Sequence, residues 1–134
     1  MRRTILLLAV LVSSLFLNAQ FVIDWPQCYG GENNDEAYGI IEMDDGFLVS
    51  GISRSPNSGM VECDFGNYVG GGWLIKINQN HDLEWGRCYT TSSSQIYRYA
   101  SDSPIYTVGG GLFPETGKTG LGIRRIDENG NTIW

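Results

Sequence analysis

A block of aromatic and turn-forming residues occurs twice along this chain, and internal duplication constrains its fold more than any single residue does. Trp25-Pro26-Gln27-Cys28-Tyr29 returns as Trp85-Gly86-Arg87-Cys88-Tyr89. Ile77-Asn78-Gln79-Asn80-His81-Asp82-Leu83-Glu84-Trp85 matches Ile126-Asp127-Glu128-Asn129-Gly130-Asn131-Thr132-Ile133-Trp134. Between these blocks, Phe47-Leu48-Val49-Ser50-Gly51 is set against Tyr106-Thr107-Val108-Gly109-Gly110. Trp25, Trp85 and Trp134 therefore bound two units, 25–84 and 85–134, and an insertion around 54–71 lengthens the first.

Each unit reads as short strands separated by turn chemistry. In the first, 37–43 is an apolar-rich run stopped by Asp44-Asp45-Gly46, a hairpin signal, and 47–52 follows as a second strand. The run 73–77 is a third, with Trp73, Ile75 and Ile77 on one face and Leu74 and Lys76 on the other. A turn over 78–82 leads to a fourth over 83–89. The second unit is predicted to repeat this with 96–100, 105–109, 121–126 and a last strand from Thr132. Outside the first twenty residues no apolar pattern has helical period, so the predicted class is all-β: an incomplete β-propeller of about two four-stranded blades.

A tryptophan at a fixed place in each unit gives a small twisted sheet the means to dock on its neighbour. Burying such a ring removes roughly 150–250 Å² from water. Trp25, Trp85 and Trp134 are thus the predicted docking residues. The turn before the ring needs a residue tolerant of left-handed backbone, which Gly130 is and His81 is less.

The run Ile126-Asp127-Glu128-Asn129-Gly130 followed by Trp134 resembles the inter-blade tryptophan docking motif of quinoprotein-type propellers. The wider pattern is Trp25, Tyr29-Gly30-Gly31, Asp35, Asp45-Gly46-Phe47, Gly51, Trp73-Leu74-Ile75-Lys76-Ile77 and Trp85. It resembles the repeat of large exported propeller proteins of bacteria that use the type IX secretion route. The resemblance implies fold but little about activity, because such propellers are surface or secreted proteins of unassigned role. Two features depart from it: the second unit reads Tyr89-Thr90-Thr91 where the first has Tyr-Gly-Gly, and Arg124 stands in the place of Ile75. Two blades do not close a ring, so the expectation is a fragment of a longer protein, or completion by self-association through open blade faces.

Residues 1–19 read as a cleavable signal peptide. Arg2 and Arg3 precede an apolar run from Ile5 to Leu17, and Ala19 offers the cleavage site. That run is too short to span a bilayer, which takes about 20 residues. No cysteine ends it for lipid attachment, and Thr4-Ile5 do not continue a twin-arginine motif. The mature chain, from residue 20 onward, is 115 residues, enough for one small domain. Losing Arg2 and Arg3 takes the 9 basic residues to 7 against 15 acidic ones, a net charge of −8. Such a surface repels phosphate backbones, so nucleic acid is not expected as a partner; an extracellular protein or a glycan is. The expected location is outside the cell or on its surface.

Export permits disulfides, and three cysteines leave one over. Cys28 and Cys88 hold equivalent places in successive units, about 10 Å apart if the sheets stack and so beyond disulfide reach. Cys63 is therefore the expected partner of Cys28 or of Cys88.

The remaining motifs carry no defensible chemistry. Gly117-Lys118-Thr119 lacks the upstream glycine of a phosphate loop, Leu112 standing in its place, and 111–119 reads as a surface loop. The turns 78–82 and 127–131 alternate oxygen-bearing side chains as calcium loops do, yet lack the remaining ligands; tight turns select the same residues. Glu32 to Glu36 and Asp44-Asp45 read as solvated loop tips. His81 is the one imidazole and sits in a turn. Tyr29, Tyr89, Tyr97, Tyr99 and Tyr106 suit a sugar or peptide surface, or strand packing. The insertion 54–71 is the long loop on which binding would sit, and by composition the least ordered stretch. No catalytic, metal or cofactor residue is predicted. The leading expectation is a non-enzymatic exported module, with binding or structural work; its rival is the first part of a quinoprotein-like or hydrolase propeller whose active site lies in other blades.

Overall fold

The computed structural model describes residues 26–66, 70–90, 95–113 and 117–134. The predicted signal peptide, 1–19, and Trp25 lie outside them. Seven strands form two antiparallel sheets, and no helix occurs among the described residues. Sheet one is the meander β1 (Asp35–Met43), β2 (Gly46–Ser53), β3 (Gly71–Asn78) and β4 (Leu83–Tyr89), hydrogen-bonded in that order. Sheet two is β5 (Gln95–Tyr97), β6 (Ile105–Phe113) and β7 (Lys118–Ile126).

The alternation read in β3 divides two cores. Leu74 joins Met43 and Leu48 of sheet one and Ile96, Ile105 and Ile126 of sheet two, so this cluster is the joint between the sheets. Trp73, Ile75 and Ile77 face the other way, into a cluster with Val61, Cys63 and Phe65. Seven of β3's eight residues are buried, because both its faces are covered. Leu48 and Leu74 are fully buried, which is worth about 2–3 kcal/mol each. Lys76 is buried as well, and its ammonium pairs with Asp45 at the β1–β2 turn.

The last strand of the second unit is present as its start: Thr132 bridges Ile126 and Arg125 exchanges backbone bonds with Ile133 and Trp134, as Leu83 and Trp85 pair with Ile77 and Lys76 in sheet one. Two expectations need correction. Residues 111–113 and 118–119 are strand and not loop, because β6 and β7 run on as a hairpin, with Leu112 opposite Thr119 and Phe113 opposite Lys118. Finally, the match of 47–51 with 106–110 is out by one residue. Ile77 pairs with Phe47 while Ile126 pairs with Ile105, so Phe47 corresponds to Ile105 and Leu48 to Tyr106. A slip of one residue exchanges the faces of a strand, which matters for what each sheet exposes.

The turns 78–82 and 127–131 close alike. The side-chain oxygen of Asn78 accepts from the backbone N–H groups of Asn80 and Asp82 at 2.8 and 2.9 Å. Asp127 accepts from those of Asn129 and Asn131 at 2.9 and 2.8 Å. His81 and Gly130 take the left-handed conformation, at φ 69° and 75°. These side-chain-to-backbone bonds are why Asn and Asp occupy both turns. The Asn131 bonds also hold the Asp127 carboxyl below its ordinary range.

Candidate functional site

The joint is pinned at its rim by the residues that repeat. The Tyr89 hydroxyl donates to the Gly130 carbonyl oxygen at 2.7 Å, and a Cβ on Gly130 would lie 2.8 Å from the ring of Trp85. Trp85 thus lies against the turn of sheet two, with Arg87 over its ring at 5.5 Å and Arg124 over that of Tyr89 at 5.1 Å. Arg98 adds a third tie, reaching the Met43 sulfur at 3.1 Å, the Ser101 carbonyl and Glu128. Burial, offset by Arg124 and Arg87, raises the Tyr89 phenol above its ordinary pKa.

The outer face of sheet one is covered by the chain itself over β3, while Ile40 of β1, which pairs with Val49 on that face, stays exposed. The insertion is not the loose binding loop its composition suggests: Val61, Cys63 and Phe65 are buried against Trp73, Ile75 and Ile77. A disulfide joins Cys63 to Cys88 on β4, with Cα atoms 5.8 Å apart; Cys28 is a free, exposed thiol. The segment before β1 locks onto the same cover. Met60 N–H bonds to the Gly30 carbonyl at 3.0 Å, Glu32 N–H to the Ser58 hydroxyl at 3.1 Å and Asn33 N–H to that of Ser55 at 2.9 Å. A Cβ at Gly31 would meet both Ser55 and Ser58 at 2.5 Å, so the Gly30-Gly31 pair of the first unit belongs with its insertion. Sheet two has neither.

Asp35 is the knot of this cover and not a solvated loop tip. Its carboxylate accepts from Gly31 N–H at 2.7 Å and the Ser55 hydroxyl at 3.0 Å. Burial works to raise its pKa, but hydrogen bonds from Ser53, Gly31, Ser55 and Arg54 outweigh it and leave the pKa lowered. Asp45 does stay exposed at the β1–β2 turn, as expected of a loop tip, and its hydrogen bond from Lys76 lowers its pKa.

The cover leaves one cleft of about 310 Å³ on this face. Val49, Ile75 and Ile77 are among its apolar walls, and Tyr29, Asp35 and Glu36 among its polar ones. Tyr29 is set by a hydrogen bond to the His81 carbonyl oxygen at 2.5 Å. His81 therefore serves through its backbone in a turn, as Gly130 does. A cleft of this size, apolar with few polar groups, suits a small ligand or one side chain.

The outer face of sheet two is open. Counted from the matched turns, Ile123 holds the place of Leu74, yet Leu74 is 0% exposed and Ile123 54%. Leu121, Tyr97 and Trp134 are exposed beside it. Tyr106 meets Trp134 edge-on, with ring centroids 6.1 Å apart. Of the predicted docking residues, Trp85 is half-buried in the joint, Trp134 is exposed, and Trp25 lies outside the described residues. The slip in the predicted alignment hid this face, because it set Tyr106 opposite the wrong residue of sheet one.

Among the described residues no three His, Cys, Asp or Glu side chains gather as a metal site, and no helix is long and apolar enough to cross a membrane. No protein-family model matches the chain, and neither a curated protein nor a solved structure matches it.

Proposed function

We propose that the two sheets are successive blades of an exported propeller-type protein, and that this segment is a binding or structural module outside the cell. The observation that carries the reading is the shared geometry of two contacts. Tyr29 bonds to the His81 carbonyl as Tyr89 does to the Gly130 carbonyl, and the two turns close through one pattern. A stack in which each sheet presents its Leu74-type face to the next explains why that face is sealed in sheet one and apolar in sheet two. The Cys63–Cys88 bond fits an oxidising compartment, where such bonds persist.

The test is association through the open face. The secreted mature protein should self-associate, or join a longer product of the same gene, through sheet two. Ile123→Lys should abolish that association while Ile40→Lys, at an equally exposed site on β1, should not. A mature chain that stays monomeric at high concentration, with neither substitution changing its sedimentation, overturns the reading.

A further inference from the structure

The two ends of the stack differ. In sheet two, the face holding Ile105 and Ile126 is covered by sheet one. In sheet one the corresponding face holds Ile77, Ile75 and Trp73, and its cover is the chain's own Val61, Cys63 and Phe65. The insertion thus does for sheet one what sheet one does for sheet two. Tyr29, bonded to His81, fills the place that Tyr89 fills in the joint, although residues 26–30 pair with no strand. Segments 26–33 and 54–66 are tied together by the Met60–Gly30, Glu32–Ser58 and Asn33–Ser55 bonds, and to β4 by the disulfide.

We propose that these two segments form a built-in end cap, which closes sheet one to any further sheet and leaves sheet two as the one face through which the stack extends. Stacked sheets stand about 10 Å apart across their whole width. Val61, Cys63 and Phe65, tied to β4 by the disulfide, occupy the space such a layer needs over β3, although Ile40 of β1 stays exposed beside them. A stack begun on this unit is therefore open, with a closed end at sheet one, and joins into a ring only if the cap is displaced. The inference rests on reading the sheets as blades, and it departs from the closed propeller which that resemblance implies.

The experiment uses the full mature, oxidised chain with the open face of sheet two blocked by Leu121→Lys and Ile123→Lys, so that only the sheet-one end is questioned. Sedimentation should show a monomer, and its hydrophobic-dye binding, through the cleft and the remaining exposed apolar residues, sets the baseline. Adding Val61→Asp and Phe65→Asp should raise dye binding several-fold and bring back association, now through sheet one. Cys63→Ser, a milder change, should speed proteolytic cleavage within 54–66 by roughly tenfold or more, since cleavage follows the opened population. Association of the blocked, capped chain overturns the proposal, as does unchanged cleavage of Cys63→Ser. An uncapped variant that keeps its β-sheet circular dichroism but binds no added dye also overturns it. Failure of the blade reading shows elsewhere, in the unblocked chain, where Ile123→Lys would then change nothing.

Discussion

The Tyr89 hydroxyl donates to the Gly130 carbonyl oxygen at 2.7 Å, tying the last strand of sheet one to the last turn of sheet two. Tyr89→Phe removes the donor and leaves that carbonyl without it. The expected loss is about 1–1.5 kcal/mol, read as a lower urea midpoint with unchanged slope.

The same residue sets an alkaline limit. Its folded pKa is raised above the ordinary 10.0, so its stabilising share is complete below pH 10 and is lost as pH rises through the folded value. Urea midpoints should therefore fall above pH 10 more steeply in the parent than in Tyr89→Phe. Parallel curves would count against the assignment.

Asp35 works with the opposite sign. Its folded pKa lies below the ordinary 3.8, so its contribution is present above that pH and is lost as pH falls through the folded value. Asp35→Ala should cost about 2 kcal/mol at neutral pH by orphaning Gly31 N–H and the Ser55 hydroxyl, and should flatten the acid limb of the stability curve.

Gly130 and His81 hold equivalent left-handed positions, at φ 75° and 69°. His81→Gly relieves the side chain and should gain about 0.5–1 kcal/mol. Gly130→Ala brings strain and a clash with Trp85 together, and should lose about 2–3 kcal/mol. Thermal melts of the pair should move in opposite directions.

Thr107 is buried in the joint, and its hydroxyl has no partner among the described residues. Thr107→Val keeps the shape and removes the desolvated oxygen, so a gain of about 1 kcal/mol is expected in urea unfolding.

Breaking the Cys63–Cys88 bond reopens a loop with a sequence separation of 25 residues. The chain-entropy relation puts that at about 3.5 kcal/mol, measurable as the difference between oxidised and reduced unfolding curves.

Local chemistry made much of this chain legible. The alternation at 73–77 and the hairpin signal at Asp44-Asp45-Gly46 are period and turn effects that depend on few neighbours, and they place β2, β3 and β4 within two residues. The duplicated Asn and Asp turns, with a left-handed residue near the end of each, were readable for the same reason. The one-residue slip between 47–51 and 106–110 was not, because both strands carry apolar residues on successive positions and only cross-strand pairing chooses the face. Nor was the role of 54–66. Ser, Pro, Asn and Gly fill 55–59, yet Val61, Cys63 and Phe65 are buried against a sheet face.

What the residues alone determined is two short β units, a tyrosine and a left-handed turn in each, and an odd cysteine. Those properties follow from side-chain shape and backbone preference over a few positions. Only the tertiary structure decided that Cys63 bonds to Cys88, that Asp35 ties a cover, and that Val61 and Phe65 are buried against sheet one while Ile123 and Trp134 stay exposed. Each of these depends on which surfaces meet across long stretches of chain, and burial is settled by that meeting.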